Sequence, residues 1–205
     1  MVSGARWRGV ALLVLASGVL VAGAAEAPKA APESVEQQLD AAMNLASAKK
    51  TQDAVRAFER VLQQEPENAR AHLLLGDVYL YHLRDYDQAL AHFLRAAGSE
   101  DHKIQALALE QAGDITMMVK HDWAGAAQQY RRVLAIWPNH IKTRYNLGGC
   151  LANAGQWDEA IAEMEAVIKL APKAEDPELA TRAREAIAAI REKQIAAAPP
   201  PAATP

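Results

Sequence analysis

Apolar side chains three and four positions apart, with charge between them, run through most of this chain. In the last patterned stretch, Ala180, Ala183, Ile187 and Ile190 alternate with Arg182, Arg184, Glu185, Arg191 and Glu192. That is the 3.6-residue period of an amphipathic helix, not the two-residue alternation of a strand. The same reading predicts helices in pairs: about 35–48 with 52–64, 69–82 with 86–97, 103–119 with 123–136, and 140–154 with 157–170. A single helix follows at about 177–195. Pro66, Pro138 and Pro172 stop second helices, because proline lacks the N–H that the next turn requires. Ser34 with Gln37 reads as a capping box, and Thr51, Asp85 and Asp122 stand where N-caps are wanted. Asp158 and Glu159 place acid in a first turn, and Asp176-Pro177-Glu178 is a strong start signal for the last helix.

One phrase recurs along these pairs. Gly76-Asp77-Val78-Tyr79 is followed by Asp85-Tyr86-Asp87-Gln88-Ala89-Leu90 and Phe93. Gly113 is followed by Asp122-Trp123, Ala126 and Tyr130, and Gly148 by Gln156-Trp157-Asp158-Glu159-Ala160 and Met164. Recurrence of one helical hairpin marks a repeat array. Small residues at Gly76, Gly148, Ala54, Ala89, Ala126 and Ala160 permit close helix contact, while Phe58, Phe93 and Tyr130 fill the space between units. Trp123 and Trp157 are expected to pack as well.

These residues resemble the tetratricopeptide repeat family, whose hairpin has a period of about 34 residues, a small residue at the helix crossing, an aromatic on the second helix and a closing proline. The first unit matches at Ala54, Phe58 and Pro66, its first helix poorly. The second matches at Leu75, Gly76, Tyr79, Ala89, Phe93 and Ala96, the third at Gly113, Ala126, Tyr130 and Pro138. The fourth matches at Leu147, Gly148, Gly155, Ala160 and Pro172. Two departures stand out. Gly to Ala spans 13 residues in units two and three but 12 in unit four. The extra residue is expected to lengthen the turn inside those hairpins, and Gly98–Gln105 makes a long link before a longer first helix in unit three. The resemblance implies an all-α fold: a right-handed superhelical array of about four antiparallel helix pairs over residues 35–172, closed by a capping helix at 173–195.

In that family first helices line a concave groove that holds peptides or partner helices. By resemblance the groove of this chain takes Glu36, Asp40 and Met43 from unit one, and Arg70, Leu73, Asp77 and Tyr81 from unit two. Unit three gives Glu110, Gln111, Asp114 and Met117, and unit four Lys142, Tyr145, Asn146 and Asn153. Spacings such as 70/73/77/81 and 110/114/117 put each set on one helical stripe. Asp77, Glu110 and Asp114 are expected to make its middle acidic. The family's carboxylate clamps use Lys and Asn at the groove floor; here Leu39, Leu73, Glu110 and Met43, Asp77, Asp114 stand in comparable places. The implied ligand is another protein or peptide, neutral or basic, with apolar groups for Leu73, Tyr81, Met117 and Tyr145. The alternative is a structural subunit or membrane-anchored assembly factor of an envelope complex, binding through the convex face or helix ends.

The ends of the chain add a location. Arg6 and Arg8 precede an uncharged run from Gly9 to Ala25, with Ala22-Gly23-Ala24 in the small-x-small form of a signal cleavage site. Residues 1–24 therefore read as a secretory signal, with a retained inner-membrane anchor as the alternative. The expected location is the bacterial periplasm or envelope, with membrane contact only if the anchor stays. Residues 25–34 read as a flexible spacer and the Ala/Pro-rich 196–205 as a disordered tail.

The formal charge of the 205 residues is −3, and losing the two leader arginines lowers it by two more. With no basic stripe, a nucleic-acid partner is not expected. Cys150 is the only cysteine, so no disulfide can form within the chain, and its spacing from Leu147 and Leu151 favours burial. His72, His82, His92 and His102 recur every ten residues, which sets neighbours about 80° apart on a helix. No two are four apart and no cysteine joins them, so neither a metal nor another cofactor is expected. No Gly-x-Ser-x-Gly and no phosphate-loop motif occurs. The chain reads as a binding protein, not an enzyme.

Overall fold

The computed structural model describes residues 33–174 and 176–197. The leader, most of the spacer and the tail from residue 198 lie outside the described residues. Among the described residues nine α-helices follow one another: α1 (Val35–Ser47), α2 (Thr51–Gln64), α3 (Ala69–Asp77), α4 (Tyr86–Ala96), α5 (His102–Met118), α6 (Trp123–Ile136), α7 (Ile141–Asn153), α8 (Trp157–Leu170) and α9 (Pro177–Ala197). A π-helical stretch, Val78–Leu83, continues α3, and a 3-10 turn, Ala171–Ala174, leads from α8 towards α9. Among the described residues there is no strand, and the fold is an all-α tetratricopeptide-like solenoid. α9 runs to Ala197, two residues into the stretch expected to be tail.

Side chains capture the free N–H groups at most helix starts. Ser34 and Gln37 exchange the two bonds of a capping box, at 3.3 and 2.9 Å. Asp85 accepts from the Gln88 N–H, Asp122 from Gly125 and Asp176 from Leu179. Asn68 and Asp101 cap α3 and α5 in the same way, and neither was singled out in the sequence. Each such cap contributes about 1 kcal/mol. Thr51 is not a cap: it is the first residue of α2, behind Lys50, which makes no side-chain capping bond. Because Asp101 caps α5, the link from α4 ends there and Gln105 is already helical, which shortens the expected Gly98–Gln105 connection.

The extra residue in units two and three does not lengthen the turn as expected. In every unit one residue takes the left-handed conformation: Lys49 (φ 60), Arg84 (φ 56), His121 (φ 54) and Gly155 (φ 78). Each stands five positions before its crossing alanine, Ala54, Ala89, Ala126 and Ala160. The turn is therefore constant and the extra residue lies in the end of the first helix. In units one and four the closing bond reaches five residues back, Lys50 N to Leu45 O and Gln156 N to Leu151 O. In units two and three it reaches six back, Asp85 N to Tyr79 O and Asp122 N to Thr116 O. In unit two the insertion opens the final turns into π geometry, the usual way a helix absorbs one added residue.

Packing follows the repeat. A Cβ on Gly76 would lie 2.7 Å from the Phe93 ring, and one on Gly113 2.7 Å from the Tyr130 ring. In unit four Met164 takes the aromatic's place, 2.9 Å from a Cβ on Gly148. The poorly matching first helix of unit one supplies Ala42, fully buried, as its small residue. Phe58, Phe93 and Tyr130 are fully buried, and Trp123 and Trp157 pack partly buried on the last core. Cys150 is buried in that core beside Leu147 and Leu151, and burial first, then the Asp114 charge, pushes its thiol up to about 11. Ala183, Ile187 and Ile190 of α9 close the same core.

Candidate interaction face

The first helices α1, α3, α5 and α7 stand in sequence along one face, and cross-links between neighbours define its chemistry. Arg70 on α3 pairs with Glu36 and, at 3.7 Å, with Asp40, both on α1. Lys142 on α7 reaches Glu110 at 3.4 Å and Asp114 at 3.7 Å, both on α5. Burial lowers the Lys142 pKa, but the Asp114 and Glu110 carboxylates outweigh it, and the net shift is upward. On the far side of α7, the Arg182 guanidinium of α9 lies 5.0 Å above the Tyr145 ring.

Two of the acids expected to make the middle of the groove acidic are thus paired. Asp114 accepts from the Tyr130 hydroxyl at 2.6 Å and from the Asn146 amide at 3.2 Å as well. Burial, then that bond to Asp114, raises the Tyr130 pKa, which keeps the phenol a donor. Glu110 is only 9 % exposed and accepts from Thr143 at 3.5 Å, with His140 at 3.8 Å. Lys142 thus ties two of the three carboxylates in the middle of the face, which keeps a formal charge of about −2 over Asp77, Glu110, Asp114 and Lys142 together. Leu73, Met117 and Tyr145 are half-buried, each packed on one side against the core. Among the described residues, Asn153 bonds to the Gly149 carbonyl of its own helix.

Asp77 and Tyr81 remain. The Asp77 side chain is half-buried and, among the described residues, makes no hydrogen bond and no ion pair; burial raises its carboxyl to about 6. Tyr81, one turn later, is 62 % exposed, and its hydroxyl only approaches Gln111 at 3.5 Å. Two hollows flank this tyrosine. One of about 140 Å³ is walled by Met43, Phe58, Leu74, Asp77, Val78 and Tyr81, with Ser47 and His82 beside them. The other, a cleft of about 480 Å³ between units two and three, is lined by Leu80, Tyr81, Tyr86, Gln111, Asp114, Ile115, Met118 and Val119. Met118 is 67 % exposed there.

The cleft residues were missed for separate reasons: Ile115 and Met118 stand one position off the 110/114/117 stripe of an unbroken α5 that Val119 ends, Tyr86 opens the second helix α4, and Leu80 lies in the π-helical stretch after α3. The 13-residue Gly-to-Ala spacing was the available signal for that stretch, since one added residue rotates the remainder of the helix by about 100°. The histidine series held a second hidden contact. His72 Nδ1 and His92 Nδ1 lie 2.9 Å apart across the α3–α4 hairpin, and His72 Nε2 donates to the Pro66 carbonyl at 2.9 Å. That carbonyl fixes a proton on Nε2, so the two Nδ1 atoms share one proton between them. Burial, then His72 and Arg95, lowers His92 to about 4, and Tyr79 stacks on its ring.

Known proteins place this architecture. The family profile described as Tetratricopeptide repeat matches residues 39–102 and, in a second version, residues 120–187. The solved structure of MamA protein is 21% identical over 82% of this chain and 98% of its own, with a TM-score of 0.59. A second MamA structure, from AMB-1, is 23% identical over 78% of this chain and 82% of its own, with a TM-score of 0.61. YrrB, described as a TPR protein with an unusual peptide-binding site, is 21% identical over 79% of this chain and 89% of its own, with a TM-score of 0.57. At these identities the likeness is one of fold. A comparison with curated proteins found no match. Two repeat matches, covering most of the described helices and agreeing with the hairpin geometry, establish that the chain belongs to the tetratricopeptide repeat family of protein-interaction scaffolds.

Proposed function

We propose that this scaffold works outside the cytoplasm, in the periplasm or envelope, and receives a peptide or partner helix on its first-helix face around Tyr81. The observation that carries the reading is the cleft of about 480 Å³ between units two and three, with Tyr81 and Met118 mostly exposed at its edge. Large exposed apolar side chains around a concavity are the usual mark of a docking site. Neighbouring first helices elsewhere are tied by Arg70 and Lys142, which leaves this junction as the receptive one. The action is equilibrium binding, with no covalent step. The uncharged stretch after Arg6 and Arg8 supports export.

A photoreactive phenylalanine at position 81, compared with one at the exposed Gln128 on α6, tests the face in the native host. The expected result is an adduct from position 81 that Met118→Glu abolishes while helicity is unchanged. Adducts from position 128 alone would move the interface to the other side of the array, as an assembly subunit would use it. Alkaline phosphatase fused behind Pro205 tests the location: activity in intact cells is expected, and an inactive fusion refutes export.

A further inference from the structure

Five acids stand on the first helices: Glu36 and Asp40 on α1, Asp77 on α3, Glu110 and Asp114 on α5. Four of them meet Arg70 or Lys142. Asp77 meets neither, although it occupies the same place in its unit as Asp114, directly after the crossing glycine. The repeat supplies an internal comparison. Asp114 is held by Tyr130, Asn146 and Lys142. The residue equivalent to Tyr130 in unit two is Phe93, whose ring faces Gly76 as that of Tyr130 faces Gly113, but it has no hydroxyl. By repeat position Asn146 becomes Gln111, whose oxygen is turned towards the Tyr81 hydroxyl, and Lys142 becomes Leu107. Each partner that satisfies Asp114 is thus absent or turned away at Asp77.

Beside this carboxylate lies the hollow of about 140 Å³. It is well below the roughly 300 Å³ of small-molecule sites, and suits one side chain. Met43 from α1, Phe58 from α2, and Leu74, Val78 and Tyr81 from α3 and its continuation form its apolar side, and Ser47, Asp77 and His82 its polar side. The titratable groups on it are Asp77, Tyr81 and His82. A long aliphatic stem ending in a cation fits that combination, since lysine lays its methylenes on apolar surface and carries its charge to the tip. The Tyr81 ring offers the cation a π face at the rim.

We propose that Asp77 and the hollow beside it form a pocket for one lysine side chain of the bound partner. The proposal rests on the partner binding the first-helix face and specifies what it must present there: a lysine, with apolar neighbours for the cleft on the other side of Tyr81. A half-buried carboxylate without a partner carries part of its desolvation cost already, so a ligand cation that pairs with it gains over a neutral guest.

The test is panning of a random dodecapeptide phage library at pH 7.5 against the full mature chain, beside two variants that circular dichroism shows to be folded. Asp77→Asn removes the charge at constant shape. Phe93→Tyr gives Asp77 the internal hydroxyl that Tyr130 gives Asp114. Wild type is expected to enrich lysine-bearing peptides, and replacing that lysine with norleucine should weaken binding by about tenfold or more, the scale of one charge-assisted hydrogen bond. Against Asp77→Asn the same replacement should matter less than about twofold, and Phe93→Tyr should fall between. Enriched peptides without lysine, or a lysine preference surviving in Asp77→Asn, overturn the pocket and leave face binding standing. No enrichment by wild type, with position 81 giving no crosslink, overturns both.

Discussion

Asp77→Asn should make the protein more stable at neutral pH. Its carboxyl is raised from an ordinary 3.8 to about 6 by burial. A folded-state pKa above the unfolded one means that the native state binds more protons between those values. Its stabilising effect is complete below 3.8 and is lost as pH rises through 6. At about 1.36 kcal/mol per unit the full difference is about 3 kcal/mol. Asp77 is only half-buried, and solvent screening reduces this to about 1–2 kcal/mol. The neutral amide escapes that cost. Urea denaturation of both proteins at pH 8, 6 and 4 reads it directly: a midpoint higher by roughly 0.5 M for the variant at pH 8, for a slope of about 2 kcal/mol/M, shrinking towards zero at pH 4. A variant no more stable than wild type at pH 8, or a gap independent of pH, would refute the claim that an uncompensated charge sits there.

Three further outcomes are expected. His92, held down to about 4 from 6.5 by burial, His72 and Arg95, stabilises the fold above pH 6.5, and this is lost as pH falls towards 4. After screening, that is about 1–2 kcal/mol, so urea midpoints of wild type and His92→Asn should converge at pH 4, with Asp77→Asn as background to remove the opposing carboxyl. Gly76→Ala drives a methyl to 2.7 Å from the Phe93 ring and should cost about 1–3 kcal/mol, whereas Gly149→Ala meets nothing within 4 Å and should gain about 1 kcal/mol; thermal melts of the pair separate close approach from helix propensity. Arg84→Gly relieves a left-handed residue at φ 56 and should raise the melting temperature, by up to about 1 kcal/mol of added stability, while Asp101→Ala removes a cap and lowers it by a similar amount.

Much of the fold was legible because the repeat wrote its rules several times. Pro66, Pro138, Asp85 and Asp122 mark helix ends through local chemistry, and Phe58, Phe93 and Tyr130 lie buried against glycine or alanine as size alone requires. The illegible part depended on contacts between units. Asp77 and Asp114 look alike in sequence, and only the side chains that reach them across the hairpin and from the next unit tell the free acid from the paired one. His72 and His92 are 20 residues apart, a separation with no meaning on one helix and a direct contact across two. Thr51 failed as a cap because the turn sets the cap position, and the left-handed Lys49 puts Lys50 there instead.

The cross-links along the first helices are unevenly distributed, and the way a guest would meet the scaffold follows from that. Ionic ties fasten α1 to α3 and α5 to α7, while α3 meets the core around α5 through the half-buried Leu73, and the Tyr81 hydroxyl beyond α3 approaches Gln111 at 3.5 Å. Behind that seam, Phe93 of α4 packs against Ala112 and Ile115 of α5 as a continuous apolar joint. From Glu33 onward the helices form one compact unit, and Lys120 pairs with Asp87 of α4 across the same junction. A guest seated in the cleft would therefore meet a wall held from behind, and little of the chain would need ordering to receive it.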